Sequence, residues 1–380
     1  MVYNFQLQTE IKFGNGIIDK LGEIISNYNV KRTLIVTDPG IVKSNLHNVV
    51  ANILKNSGIE YEVFNEVKSD PNIETINKAK KIAKKYSPEA IIGLGGGSSI
   101  DTAKATAILM ENDGELRQFS GENKVKKLNI PLIAIPTTAG TGSEVTRFAV
   151  ISDANEKFTI SSNFIIPKVA ILDPTLTLSL PQETTAYTGI DALTHAIESY
   201  ISTLSQPITD LLALKSIELI MKNLRIAFAR GDNLKARENM LQASLFAGIA
   251  FNNSFLGLCH AIASPLGAHF NIPHGIAIGV MLPYVIEYNI LASSNKFALI
   301  YRTLYPYDND LDELKMSEKL IYSVTNLLKD INLPSNLHTI GVSEEKLQLV
   351  AEDAQKSIQL KYNPRIANQN DILSILKRAY

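Results

Sequence analysis

The segment AIIGLGGGSSIDTAK, residues 90–104, constrains this chain more than any other. An apolar run of strand length ends in glycines and passes directly into a helical pattern, so it reads as buried strand, tight turn and helix. Glycines let a phosphate approach the backbone closely, and a helix start offers unpaired N–H groups and a positive dipole end. The pattern is neither G-x-G-x-x-G nor a Walker loop: Ile100 stands where a third small residue belongs, and no GK[ST] follows. Such a turn can be purely structural, but its place at a strand end favours a phosphate or a dinucleotide.

Short β-rich runs at 33–37, 61–67, 90–94, 131–135, 148–152 and 169–172 surround it, with helical stretches near 44–57 and 71–85. This predicts a doubly wound, Rossmann-like α/β domain. From Thr184 onward apolar residues recur at three- and four-residue spacing, over 190–201, 211–226, 240–251 and 320–328, which predicts an all-helical second half. The expected division is an α/β dinucleotide-binding domain, 1–181, and an all-helical metal-binding domain, 182–380, with the site in the cleft between them.

Thirty-seven basic against 38 acidic residues leave a net charge of −1, which gives no footprint for nucleic acid or an anionic membrane. Cys259 is the only cysteine, so a disulfide framework and cysteine-rich zinc or iron–sulfur sites are excluded and any metal must sit on His and carboxylate. The apolar segment 275–286 is too short to span a bilayer and the N-terminus lacks a signal pattern, so a cytoplasmic protein without membrane partners is expected.

Three further features suit a nucleotide and a metal. The loop from Thr137 to Ser143 supplies hydroxyls and backbone donors at another strand end, as a second cofactor wall or simply as a flexible loop. Asp38, after the 33–37 strand, can accept from ribose hydroxyls and repel a 2′-phosphate, favouring NAD over NADP, or can serve only as the turn residue before Pro39-Gly40. Asp191 and His195 are four residues apart on one helix face, and His260, His269 and His274 follow in apolar or Gly/Pro-rich surroundings. One carboxylate with two or three imidazoles suits Fe(II) or Zn(II). His269, nine residues beyond His260, points to the other side of a helix and is left out; His47 and His338 are expected to be solvated.

FGNG at 13–16, GGGSSIDTAK at 95–104, PTTAGTGSEVT at 136–146, Asp173-Pro174, TGIDALTHAIESY at 188–200 and GLCHAIASPLGAHFNIPHG at 257–275 occur in one order over nearly the whole chain. In these the sequence resembles the iron-dependent (group III) alcohol dehydrogenases, the family of lactaldehyde/propanediol oxidoreductase, 1,3-propanediol dehydrogenase and butanol dehydrogenases. The resemblance implies a dehydroquinate synthase-like architecture and hydride transfer between NAD(H) and a short primary alcohol or diol and its aldehyde. It implies that Asp191, His195, His260 and His274 bind one divalent metal, usually Fe(II) and sometimes Zn(II). Gly95, Gly96, Gly97 and Ser98 would hold the pyrophosphate, with Asp101 beside the nicotinamide. Thr137, Thr138 and Thr141 would line the cofactor cleft, Lys157 would reach the nicotinamide ribose, and Asp38 matches the position tied to NAD preference.

In one departure, Ser264 stands where many relatives carry a histidine, so that histidine's proton relay or substrate contact does not carry over. Phe148, Phe251, Phe255 and Tyr362 are candidate pocket walls that can equally be core. Residues 3–13 resemble a strand that relatives pair across a dimer, so a homodimer or larger homo-oligomer is expected. The rivals are a zinc polyol oxidoreductase like glycerol dehydrogenase, a metal-free maleylacetate reductase-like enzyme, a lyase like dehydroquinate synthase, and a binding protein without turnover. The intact ligand set and the absence of a basic pocket speak against the last three.

Overall fold

The computed structural model describes residues 3–153, 156–308 and 311–380. The chain forms two compact units, Leu7–Leu180 and Pro181–Tyr380, and the segment ending at Gln6 joins the second. Gln6 donates its N–H to Asn253 Oδ1 at 2.7 Å and accepts from Asn253 Nδ2 at 3.1 Å, while Gln206 Nε2 donates to the Asn4 carbonyl at 2.9 Å. These bonds move the N-terminal residues out of the domain to which their sequence position assigns them.

In the first unit β1 (Glu10–Phe13), β2 (Arg32–Val36), β3 (Glu60–Phe64), β4 (Ala90–Gly95), β6 (Leu132–Pro136) and β9 (Val169–Leu172) form one parallel sheet in the order β1-β9-β6-β4-β2-β3. The short β5 (Gly121–Glu122), β7 (Phe148–Asp153) and β8 (Glu156–Ser161) make a second sheet. Both faces of the large sheet are covered, so its strands read as continuous apolar runs. Ile35, Ile92, Ile133 and Ile171 pack on one face, and Leu34, Val36, Ile91 and Leu132 on the other, the period-two alternation of a pleated strand. The helices are α1 (Leu21–Ser26), α2 (Pro39–Lys43), α3 (Leu46–Asn56), α4 (Ile73–Tyr86) and α5 (Gly97–Glu111). The helix expected near 44–57 is α3, and the short α2 before it, which the sequence reading did not anticipate, is set off by Asn45 at φ +66°. Among the described residues of the expected N-terminal strand only Glu10–Phe13 pairs in a sheet, with β9 of its own chain.

The second unit is helical: α6 (Gln182–Ile201), α7 (Pro207–Ala229), α8 (Leu234–Ser254), α9 (Leu258–Phe270), α10 (His274–Leu304), α11 (Glu313–Asp330), α12 (Leu347–Gln355) and α13 (Gln369–Ala379). Gly189 lets α6 and α7 approach, since a Cβ there would lie 2.4 Å from Leu224 Cδ1. The apolar segment 275–286 proves to be the start of a 31-residue helix kinked at Ser293, long and apolar enough to cross a bilayer. Most of that apolar stretch is buried, including Ile278, Met281 and Leu282, which makes α10 a core helix of its unit.

Candidate active site

The glycine turn expected to hold the nucleotide lies where strand order reverses. From β2 the chain moves outward to β3 and returns to β4 on the other side of β2, so the carboxyl ends of β2 and β4 flank a switch point, the place where open α/β sheets bind ligands. Asp38 and the glycine turn stand at those two ends. Asp38 Oδ1 caps α2, accepting from the N–H groups of Gly40 (2.8 Å) and Ile41 (3.1 Å), while Oδ2 accepts from Ser99 Oγ at 3.2 Å. The two readings of Asp38 therefore fall on different oxygens: one makes the turn, and the other faces the glycines.

Gly95 has φ +140°, which side chains rarely adopt, and a Cβ there would lie 2.6 Å from Ser99 Oγ and 2.9 Å from Asp38 Oδ2. A Cβ on Gly97 would meet Thr141 Cγ2 at 2.7 Å, and one on Gly96 would meet Thr138 at 3.4 Å. The Thr137 N–H donates to the Gly95 carbonyl at 3.1 Å, so the threonine loop and the glycine turn are in direct contact. Gly96 begins α5 with no side-chain cap, leaving its first N–H groups to a ligand or water. Ser98 Oγ donates to the Ser69 carbonyl, and Lys157 Nζ pairs with Asp70 Oδ1 at 2.7 Å, on the same loop.

Asp101, expected beside the nicotinamide, turns both oxygens into the protein: Oδ1 accepts from Ser143 Oγ (2.5 Å) and Oδ2 from the Val150 N–H (2.9 Å). Beside it is a residue that sequence reasoning missed. Lys104 is fully buried, and its Nζ donates to Ser143 Oγ (2.9 Å) and the carbonyls of Thr146 (3.0 Å) and Phe148 (2.7 Å). Burial pulls this ammonium down to about 8 against the opposing charges of Asp101 and Glu144. Glu144 is itself buried, its Oε1 has no hydrogen-bond partner, and burial raises its carboxyl to about 7 against its own N–H and Lys104. A lysine amid the alanines of α5, three residues after an aspartate, was the available signal.

The residues expected to hold a metal lie in the second unit. Asp191 and His195 sit one turn apart on α6, His260 on α9 and His274 at the start of α10. Asp191 Oδ1 is 3.6 Å from His195 Nε2, 3.4 Å from His260 Nε2 and 3.6 Å from His274 Nε2. Among the described residues Asp191, His195 and His260 form a buried group whose ligand atoms all lie within 4.8 Å, and His274, half-buried, joins it through Asp191. These separations are long for hydrogen bonds, but ligands drawn about 2.1 Å from one ion sit about 3–3.5 Å apart. Asp191 Oδ1 and His260 Nε2 are buried without a hydrogen-bond partner, which suits a shared cation. Burial alone would raise the Asp191 carboxyl, but the imidazoles outweigh it and hold it well below the usual carboxylate range. Burial likewise opposes charge on His260, yet Glu198 and Asp191 push it up to about 9.

The remaining predicted residues fall outside this cluster or behind it. Phe251 stacks on the His195 ring at 4.5 Å, and Phe255 on Tyr362 at 4.4 Å. Phe148 belongs to the first unit, where its carbonyl receives Lys104. Ser264 turns its hydroxyl back to the His260 carbonyl at 3.0 Å, and His269 pairs with Asp353 at 2.7 Å, as its opposite helix face requires. His338 is exposed, but His47 is half-buried with Nδ1 out of contact with water, contrary to the expectation that it is solvated. Sequence reasoning also missed Glu198, whose carboxylate meets His260 Nδ1 at 2.6 Å; its signal was its place on α6, three residues after His195 and seven after Asp191.

A glycine turn at a switch point and a helical unit that gathers a carboxylate with three imidazoles suit an enzyme that uses a dinucleotide and a metal ion. The chain belongs to the iron-containing alcohol dehydrogenase family: the description "Iron-containing alcohol dehydrogenase" matches residues 8–174, and "Fe-containing alcohol dehydrogenase family, C-terminal" matches 185–380. It is similar to alcohol dehydrogenase 4 of Saccharomyces cerevisiae, 39% identical over 97% of this chain and 96% of the yeast protein. It is 35% identical to an NAD-dependent methanol dehydrogenase of Bacillus methanolicus over 99% of both chains. A solved 1,3-propanediol oxidoreductase superposes with a TM-score of 0.97 at 38% identity over 100% of each chain. The protein is an alcohol dehydrogenase by family, interconverting alcohol and aldehyde, and the polyol, metal-free and lyase rivals are not favoured.

Proposed function

We propose that the enzyme interconverts a short primary alcohol or diol and its aldehyde with NAD(H), and that Asp191, His195, His260 and His274 hold Fe(II), with Zn(II) as an alternative ion. The observation that carries this reading is the buried, unpartnered pair Asp191 Oδ1 and His260 Nε2, ringed by two further imidazoles. When bound, the metal supplies a Lewis acid for the alcohol or carbonyl oxygen and the nicotinamide supplies the hydride acceptor or donor. Gly95, Gly96, Gly97 and Ser98 receive the pyrophosphate at the uncapped start of α5, where backbone N–H groups and the helix dipole favour its charge. Asp38 Oδ2 accepts from the adenosine ribose and disfavours a 2′-phosphate. Thr137, Thr138 and Thr141 wall the cofactor, Lys157 reaches the ribose by exchanging its exposed partner Asp70, and Asp101 holds the wall in place through Ser143. The names of the methanol and 1,3-propanediol relatives support a small alcohol. A cytoplasmic homo-oligomer is the proposed state, in keeping with a single free cysteine.

The test is NAD reduction and NADH oxidation over a panel of short alcohols, diols and aldehydes, on protein stripped with chelator and reloaded with Fe(II), Zn(II) or nothing. Turnover restored by metal and lost in Asp191→Ala supports the assignment. Equal turnover with and without metal defeats it.

A further inference from the structure

We propose that Glu198 is a positioning residue that fixes the tautomer of His260 and thereby sets the affinity of the site for its metal; this rests on the ligand assignment above. Glu198 is 2% exposed and receives three donors, all from the turn that opens α9. Its Oε2 accepts from the Gly257 N–H (3.0 Å) and meets His260 Nδ1 (2.6 Å), and its Oε1 accepts from the Cys259 N–H (2.6 Å). Asn363 Oδ1 takes the Leu258 N–H between them at 3.3 Å and is itself bonded by Asn289 Nδ2 at 3.1 Å. Gly257 caps α9 with no side chain of its own, so Glu198 on α6 does the work of an N-cap from another helix.

The backbone groups around this carboxylate can only donate, and a carboxylate can only accept. The bond to His260 is therefore Nδ1–H donating to Oε2, so that the neutral imidazole a metal requires keeps its lone pair on Nε2, on the far side of the ring and 3.4 Å from Asp191 Oδ1. The Glu198 carboxylate links α6, which carries Asp191 and His195, to the first turn of α9, which carries His260, so one group aligns ligands from two helices. A glutamine cannot reproduce this: its amide has one accepting oxygen for two accepting positions, and its NH2 group must face an N–H donor.

The experiment measures the affinity of the metal-free full-length protein for Zn(II), by competition with a chromophoric chelator, in the native chain, Glu198→Gln, His260→Ala and the double variant. Glu198→Gln is expected to weaken binding about 10–100-fold, the range for such outer partners, and to add nothing in the His260→Ala background. Native affinity in Glu198→Gln, or losses that multiply in the double variant, overturns the inference. Native affinity in His260→Ala overturns the ligand assignment itself, so the two failures are distinct. A second readout needs no foldable Glu198 variant: the zinc-loaded native enzyme should show a slowly exchanging, downfield imidazole N–H proton that disappears in His260→Ala. Its absence from the native spectrum also overturns the proposal.

Discussion

Replacing Lys104 by methionine tests whether the buried ammonium holds the cofactor wall together. Methionine has nearly the same length and volume, so the change removes charge and hydrogen bonds while leaving little cavity. Four bonds are lost, to Ser143 Oγ, to the carbonyl and hydroxyl of Thr146 and to the Phe148 carbonyl, and Asp101 loses the cation 3.8 Å from its Oδ1. Breaking a buried pair by removing one partner costs about 3–5 kcal/mol, because the remaining charge and acceptors stay buried. The chain has no tryptophan, so urea unfolding is best followed by circular dichroism. The same substitution loosens residues 143–148, which adjoin the threonine loop, so KM for NAD is expected to rise while metal content stays that of the native protein. A loss below about 1 kcal/mol, the size of an ordinary point substitution, together with an unchanged KM, refutes the reasoning.

Three other outcomes are expected. Burial makes Glu144 keep its proton to about pH 7 when folded, against 4.5 for an ordinary glutamate, so within that window the folded chain binds more protons than the unfolded one. Stability therefore falls as pH rises through it, by about 3 kcal/mol in order of magnitude; Glu144→Gln should flatten that slope, and an unchanged slope in urea titrations counts against it. Gly97→Ala places a methyl group 2.7 Å from Thr141 Cγ2 and, at about 1–3 kcal/mol for overpacking, should weaken NADH binding in a fluorescence titration; native affinity would show that the turn can open at no cost. Metal at about 100 times its dissociation constant should stabilise the protein by about 2.7 kcal/mol; thermal scans that coincide with and without metal would contradict a site in the folded state.

The strand–glycine–helix unit, the parallel sheet and the helical second half were legible because each depends on local pattern: apolar runs for strands, three- and four-residue recurrence for helices. The same holds for Asp191 and His195, which share a face through helical periodicity alone. The N-terminal segment was misplaced because its bonds to Asn253 and Gln206 join residues about 200 positions or more apart, which no local pattern records. The full length of α10 was hidden because its later residues mix apolar and polar side chains and Ser293 interrupts the pattern.

Sequence by itself determined which chemical groups this chain offers: glycines at a strand end, one carboxylate with imidazoles at helical spacing and beyond, and no cysteine set to hold a metal. Tertiary structure decided which atoms face which. That His260 comes within 3.4 Å of Asp191, that Glu198 receives the other side of its ring, and that Lys104 is sealed beneath the threonine loop all follow from packing between distant segments. Side-chain type and spacing fix what a residue is able to do, whereas burial and partners, which set its tautomer and charge, exist only once the chain has closed around it.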